Sequence, residues 1–334
     1  MKQFAVVCVF IFLCLCKATN VFAQIASGLH NPVFSALALA QGNAFVARAN
    51  DASAISFNPA GLTQLERPQV SLGAGFVLPS VEYHGNGISE DMDTGINTIP
   101  NLYFASPIIG NKLAAGLGIT VPYGLQGKWD ENGFSRFVIT DFELSIININ
   151  PTVTFQPFPF VSMGVGVDYY YARSEQEGRI PSLAAGAPEG FRDLEMHGDA
   201  FGYNAGILCN ITPQHSVGIS FRSKADIDFD GKLRLTGLPE ATTGTNHFYS
   251  DTNTTATLPE MLSFGYAYRP GNRWSIEVDA QWTNWSRFDI LEIGLESPNP
   301  LLGTEIEDVR KWHNTWGFAL GGEYNLYEAI KLRG

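Results

Sequence analysis

The sequence predicts an all-β protein, a transmembrane antiparallel β-barrel sewn through an outer membrane. Three observations carry this expectation. Long stretches alternate apolar residues with small or polar ones. The connections between them run short, long, short, long, almost to the last residue. A cleavable export signal stands in front. Outer-membrane barrels have tight turns at one end and long loops at the other, and only every second wall residue needs to be apolar.

The N-terminus gives the address. Lys2 supplies a positive start, and Phe4 to Cys16 form an apolar run too short to cross a bilayer as a helix. Val21-Phe22-Ala23 offers small residues to signal peptidase, so residues 1–23 read as a signal peptide and Gln24 as the mature start. Loss of Lys2 and Lys17 takes the formal charge from −12 to −14. An acidic chain without a basic cluster is a poor nucleic-acid binder. Three of the four cysteines leave with the signal. Cys209 alone can form neither an internal disulfide nor a thiol–metal framework.

Residues 24–67 read as an N-terminal hatch, a plug of short helices inside the lumen. They are rich in Ala, Ser and Asn and lack sustained alternation. Pro32 to Ala40 suits a short helix, and Asp51 can cap another over Ala52–Ser56. Asn58 before Pro59 is a strong helix start. The Asn side chain accepts a backbone N–H, and Pro at the first helical position has none to leave unpaired.

Residues 68–334 read as barrel wall. In the third strand Leu113, Ala115, Leu117, Ile119 and Val121 fall on one face, with Ala114, Gly116, Gly118 and Thr120 on the other. Val161 to Val167 alternate with Ser162, Gly164, Gly166 and Asp168, and Val217, Ile219 and Phe221 with Gly218, Ser220 and Arg222. Trp274 to Trp282 alternate with Ser275, Glu277, Asp279 and Gln281. Short connections fall near 109–112, 156–160, 212–215, 270–273 and 325–328, and long ones over roughly 79–97, 124–140, 176–197, 235–257 and 292–310. About eleven strands are expected, the last beginning near Ala329 and stopping in mid-strand, so the wall is expected to be incomplete at its C-terminal side. Tyr169 to Tyr171, Tyr266, Tyr268, Trp282 and Trp285 sit near strand ends, where interfacial girdles form.

The chemistry is sparse. Asp226, Asp228, Asp230 and Gly231 imitate the start of a calcium loop, but the acid required six residues after the glycine is Gly237. The alternation instead places those acids on the polar face of Ser216–Arg222, with Ile227 and Phe229 on the apolar one. The six histidines lack ligand spacing, and no phosphate loop or nucleophile elbow occurs. No metal, cofactor or enzyme activity is therefore expected. Arg222 and Lys224 are candidate lumen cations. They either pair with Asp226 and Asp228 to steady the wall or meet a ligand carboxylate. Arg173 is a third candidate, though Tyr169-Tyr170-Tyr171 blurs its face and could hide a bulge. Pro122 lacks a ladder donor. With Tyr123 and Gly124 it either bends the third strand and opens the wall or marks the strand's end.

The segments Gly42-Asn43-Ala44, Ala49-Asn50-Asp51 and Phe57-Asn58-Pro59-Ala60-Gly61-Leu62 resemble the hatch of FadL-type outer-membrane transporters for long-chain fatty acids and related hydrophobic compounds. Val121-Pro122-Tyr123-Gly124-Leu125, Ser220-Phe221-Arg222-Ser223, Leu258-Pro259-Glu260-Met261 and Trp282-Thr283-Asn284-Trp285-Ser286 continue the resemblance in order. It implies a fourteen-stranded barrel with a hatch and passive transport through loop capture, a lumen pocket and lateral release into the bilayer. It implies a gate at Asn58, Pro59 and Ala60 and a lateral exit at Pro122, Tyr123 and Gly124. Partners would be hydrophobic small molecules and outer-membrane lipid, with the protein a monomer. The alternative is a receptor or adhesin that works through its long loops.

Overall fold

The computed structural model describes residues 28–334 apart from 86, 94, 183–187, 239, 241–244, 272, 289, 300–302, 328 and 329. The signal peptide expected at 1–23 lies outside the described residues, as do 24–27. The strands are β1 (Gln69–Val77), β2 (Glu82–Gly85), β3 (Ile88–Asp91), β4 (Asn97–Ile109), β5 (Leu113–Lys128), β6 (Asp141–Phe158), β7 (Val161–Ile180) and β8 (Gly190–Asn210). They continue as β9 (His215–Arg222), β10 (Ala225–Thr236), β11 (His247–Leu258), β12 (Met261–Tyr268), β13 (Trp274–Thr283), β14 (Ile290–Asn299), β15 (Gly303–Val309), β16 (Thr315–Tyr327) and β17 (Ile330–Arg333).

All but β2 and β3 join one 15-stranded sheet, whose main path is β1-β4-β5-β6-β7-β8-β9-β12-β13-β16-β17. That path holds the eleven wall strands expected. Four wall strands are each broken into two segments. Above β9, β12, β13 and β16 the wall continues as β10, β11, β14 and β15, with β10 pairing to β8 and β11, β11 to β14, and β14 to β15. All pairings are antiparallel, as hairpin connections require. Among the described residues, β1 and β17 end the path without pairing to each other.

Much of what the sequence presents as long loop is wall. β7 runs on to Ile180 and β8 starts at Gly190, so the connection expected over 176–197 shrinks to 181–189. β10 and β11 likewise absorb both ends of 235–257. The connection after β1 contains the hairpin β2–β3, whose Tyr83 stacks on Phe134 at 3.8 Å. Polar strand residues read as loop because their outward face, beyond the apolar band, has no reason to be greasy.

The lower wall follows the expected faces. On β7, Val165 and Val167 point outward, 58% and 50% exposed, while Gly164, Gly166 and Asp168 are buried within. On β8, Phe201 and Tyr203 stand outward and Asn204 inward. The same rows would be poor in water and suit lipid.

The faces then change. Asn204 pairs with Arg222, but Asp199 pairs with Asp228, so the β9–β10 strand carries one extra residue between them. This is a β-bulge at Ser223–Lys224, tied down by Ser223 bonding the Tyr203 backbone in both directions at 2.8 and 2.9 Å. A slip of one residue swaps inside and outside. The expectation for 224–230 is thereby reversed. Ile227 and Phe229 are buried inside, and Asp226, Asp228 and Asp230 face out. A second bulge, between Thr120 and Tyr123, shifts β5 against β6. No register shift occurs along β7–β8, so Tyr169-Tyr170-Tyr171 contains no bulge against β8.

The N-terminal segment lies against the inner face. Its helices are Ala36–Leu39, Ala54–Phe57 and a 3₁₀ turn over Pro59–Gln64. Asn58 caps the last, its side chain accepting from Ala60 N at 3.2 Å. Gly164 lets this turn touch the wall. A Cβ there would come within 2.6 Å of the Pro59 carbonyl carbon.

Candidate functional site

The interior divides into a filled polar zone at the short-turn end and an apolar zone at the long-connection end. β6 shows the change most clearly. Its inward residues are Thr154, Thr152, Asn150 and Asn148 below, then Ile146, Leu144 and Phe142 above.

In the lower zone the wall grips the backbone of the N-terminal segment. Asp279 Oδ2 accepts from Phe45 N at 2.7 Å and Val46 N at 2.9 Å. Glu277 Oε1 accepts from Ala47 N at 2.6 Å and Arg48 N at 3.1 Å, and its other oxygen lies 3.5 Å from Arg48 Nε. Four consecutive N–H donors, which no helix or strand satisfies, thus end on two buried carboxylates. Asn58 Nδ2 donates to Val46 O and to wall residue Ile207 O, and Thr154 Oγ1 donates to Pro59 O at 2.7 Å.

Between the zones sits a narrow cleft of about 60 Å³ lined by His30, Phe34, Ser56, Asn148, Asn150 and Arg222. Arg222 is ion-paired with the buried Asp168 and lies 3.5 Å from Tyr170 Oη. Asn148 Nδ2 donates to the same Asp168 at 2.8 Å. Tyr123 and Tyr170 roof this cluster, with His30 at 5.4 Å and Trp285 at 6.4 Å from the Tyr123 ring.

Above lies a larger cavity of about 310 Å³. Leu29, Phe142, Ile146, Met196, Ile227, Phe229, Leu258, Phe288, Ile293 and Trp312 line it. Trp312 packs against Trp285 and Phe288 at 4.9 and 5.0 Å, which fixes the aromatic side of the cavity.

The candidate cations part company. Arg222 faces the interior cleft. Lys224 does not share its face, because the Ser223–Lys224 bulge turns it outward, where it pairs with Asp226 at 2.7 Å. Arg173 follows Val165, Val167 and Tyr171 on the outer face and pairs with Glu175. Neither can meet a ligand in the lumen.

Pro122, Tyr123 and Gly124 mark neither a strand end nor an open hole. β5 continues to Lys128 and its pairing with β6 resumes at Tyr123. The break is on the other side. The β4–β5 ladder stops at Asn101 and Thr120, although β4 itself starts at Asn97. Residues Leu29 to Asn31 take the vacated place, with Asn31 N donating to Pro122 O at 2.7 Å and Gly124 N to Leu29 O at 3.2 Å.

Residues 18–334 match the family described as outer membrane protein transport protein (OMPP1/FadL/TodX). The chain belongs to this family. It is 25% identical to outer membrane protein P1 of Haemophilus influenzae, over 85% of this chain and 70% of that one. It is 28% identical to a long-chain fatty acid transport protein of Escherichia coli, over 83% and 69%. A FadL homologue of Pseudomonas aeruginosa superimposes with a TM-score of 0.75 at 18% identity, over 92% and 80%. The toluene transporter TbuX of Ralstonia pickettii gives 0.74 at 18%, over 92% and 86%. The family is one of outer-membrane β-barrel transporters and not a family of enzymes.

Proposed function

We propose that the protein moves hydrophobic molecules, fatty acids or hydrocarbons, passively from the cell exterior into the outer-membrane bilayer. One observation carries this reading. An apolar cavity stands directly on a polar, hydrogen-bonded floor, and at their boundary the wall is completed only by Leu29–Asn31. A hydrophobe held above has no favourable path down through Asn148, Asn150 and Arg222. Sideways lies hydrocarbon, and each buried CH₂ contributes roughly 0.8 kcal/mol to going there.

In this scheme the N-terminal segment is a plug with two parts. Asn58, Pro59 and Ala60 act as anchor more than gate, because Ile207 and Thr154 bond them to the wall. The gate is Leu29–Asn31, held to β5 by two backbone hydrogen bonds. A ligand drives its release only by binding the displaced state better. The test is a His30→Cys/Tyr123→Cys pair in a Cys209→Ser background, at positions that face each other across the isolated bridge. Oxidation should stop uptake of a hydrophobic substrate and reductant should restore it. Uptake that is equal with the cross-link closed and open would remove the lateral gate.

A further inference from the structure

We infer that the upper cavity selects uncharged hydrophobic molecules over those carrying a carboxylate. This rests on the transport reading above and narrows its substrate. The argument is one of charge, since the cavity has room for either kind.

Ser174, Gln176 and Thr254 are neutral and line the cavity alongside its apolar residues. The charged lining groups are Glu143 and Arg310. Every Lys and Arg after Lys17 is among the described residues. Arg310 is the one cation of that lining, and Asp308 already pairs with it. Glu143, exposed between the inward Phe142 and Leu144, stands at the cavity's edge and offers a carboxylate no partner. Below the cavity, Arg222 is engaged by the buried Asp168, so its charge too is matched. Recruiting Arg222 would leave the buried Asp168 uncompensated, while Arg310, about 42% exposed like its partner Asp308, offers only a water-screened charge at the rim. A carboxylate would then lose its water and gain no partner, whereas an ester or a hydrocarbon loses nothing polar that matters.

The test uses the purified full chain in detergent and three probes: a long-chain fatty acid, its methyl ester and naphthalene. Binding is followed by tryptophan fluorescence, which Trp285 and Trp312 report. At about pH 8, where a carboxylic acid is ionised, the ester and naphthalene should bind and the acid should bind about tenfold more weakly or worse. Taking the pH below about 4 should close that gap as the acid becomes neutral. The response to ester should shrink in Trp312→Phe. An acid that binds as tightly as its ester at the higher pH overturns the inference and leaves transport standing. An undiminished response in Trp312→Phe places binding elsewhere and also overturns it. Binding of none of the three defeats the transport reading itself, and this inference with it.

Discussion

The lower and upper halves of the lumen are built from the same strands and do opposite things. Below, wall and N-terminal segment are joined by backbone hydrogen bonds donated to Glu277 and Asp279 and by bonds donated from Asn58 and Thr154, and glycines bring backbone against backbone. Above, β6, β8 and β10 turn Ile146, Met196, Ile227 and Phe229 inward around space. Polar contacts demand fixed geometry, while apolar ones tolerate a changing occupant. The lower half is therefore suited to holding and the upper half to receiving.

Four substitutions can break or sharpen that contrast. The largest effect is expected from Glu277→Ala. It removes the nearer carboxylate of buried Arg48, leaving it Glu323 at 4.0 Å, and strands two backbone donors, a loss of about 3 kcal/mol. Unfolding in urea from lipid vesicles would measure it, and a cost below 1 kcal/mol, on the order of a surface change, would refute the grip. Next comes Gly164→Val, which forces a side chain into the Pro59 turn. Overpacking should cost about 1–3 kcal/mol, with ligand affinity unchanged. Phe229→Ala should show the converse. Because the ring borders open space, stability should fall by only about 1–2 kcal/mol, less than a packed core demands, while ligand binding weakens in a fluorescence titration. The smallest effect belongs to Asp228→Ala. Outward, with its side chain accepting from Thr255 at 2.8 Å, it should change stability by no more than about 0.5 kcal/mol and leave binding alone. A clear loss of affinity there would place Asp228 inside after all.

These cases also show what can be read from residue order. The wall was legible because lipid imposes a period of two, and Val161–Asp168 keep it without error. The Asn58-Pro59 cap was legible because its chemistry is local. The faces beyond Ser223 were not, since a bulge adds one residue without changing the look of the alternation. Lys224 and the three aspartates were misplaced for that reason. Arg173 had no such excuse in geometry. It continues the outward row, but above the apolar band an outward arginine looks like an inward one. Glu277 and Asp279 were visible as interior acids, yet their partners are backbone N–H groups, which every residue but proline carries and no pattern reveals.

The length of the strands has one more consequence. β8 has 21 residues. At about 3.3 Å each and a tilt near 45°, it climbs about 50 Å, roughly twice the apolar band of about 25 Å that such barrels present to lipid. Its upper outward row, Glu195, His197 and Asp199, is charged or titratable where the lower row is Phe201 and Tyr203. The wall thus rises well past the apolar band at its upper end, and under the proposed transport reading a hydrophobic molecule entering at that rim would descend to the cavity shielded by protein instead of water.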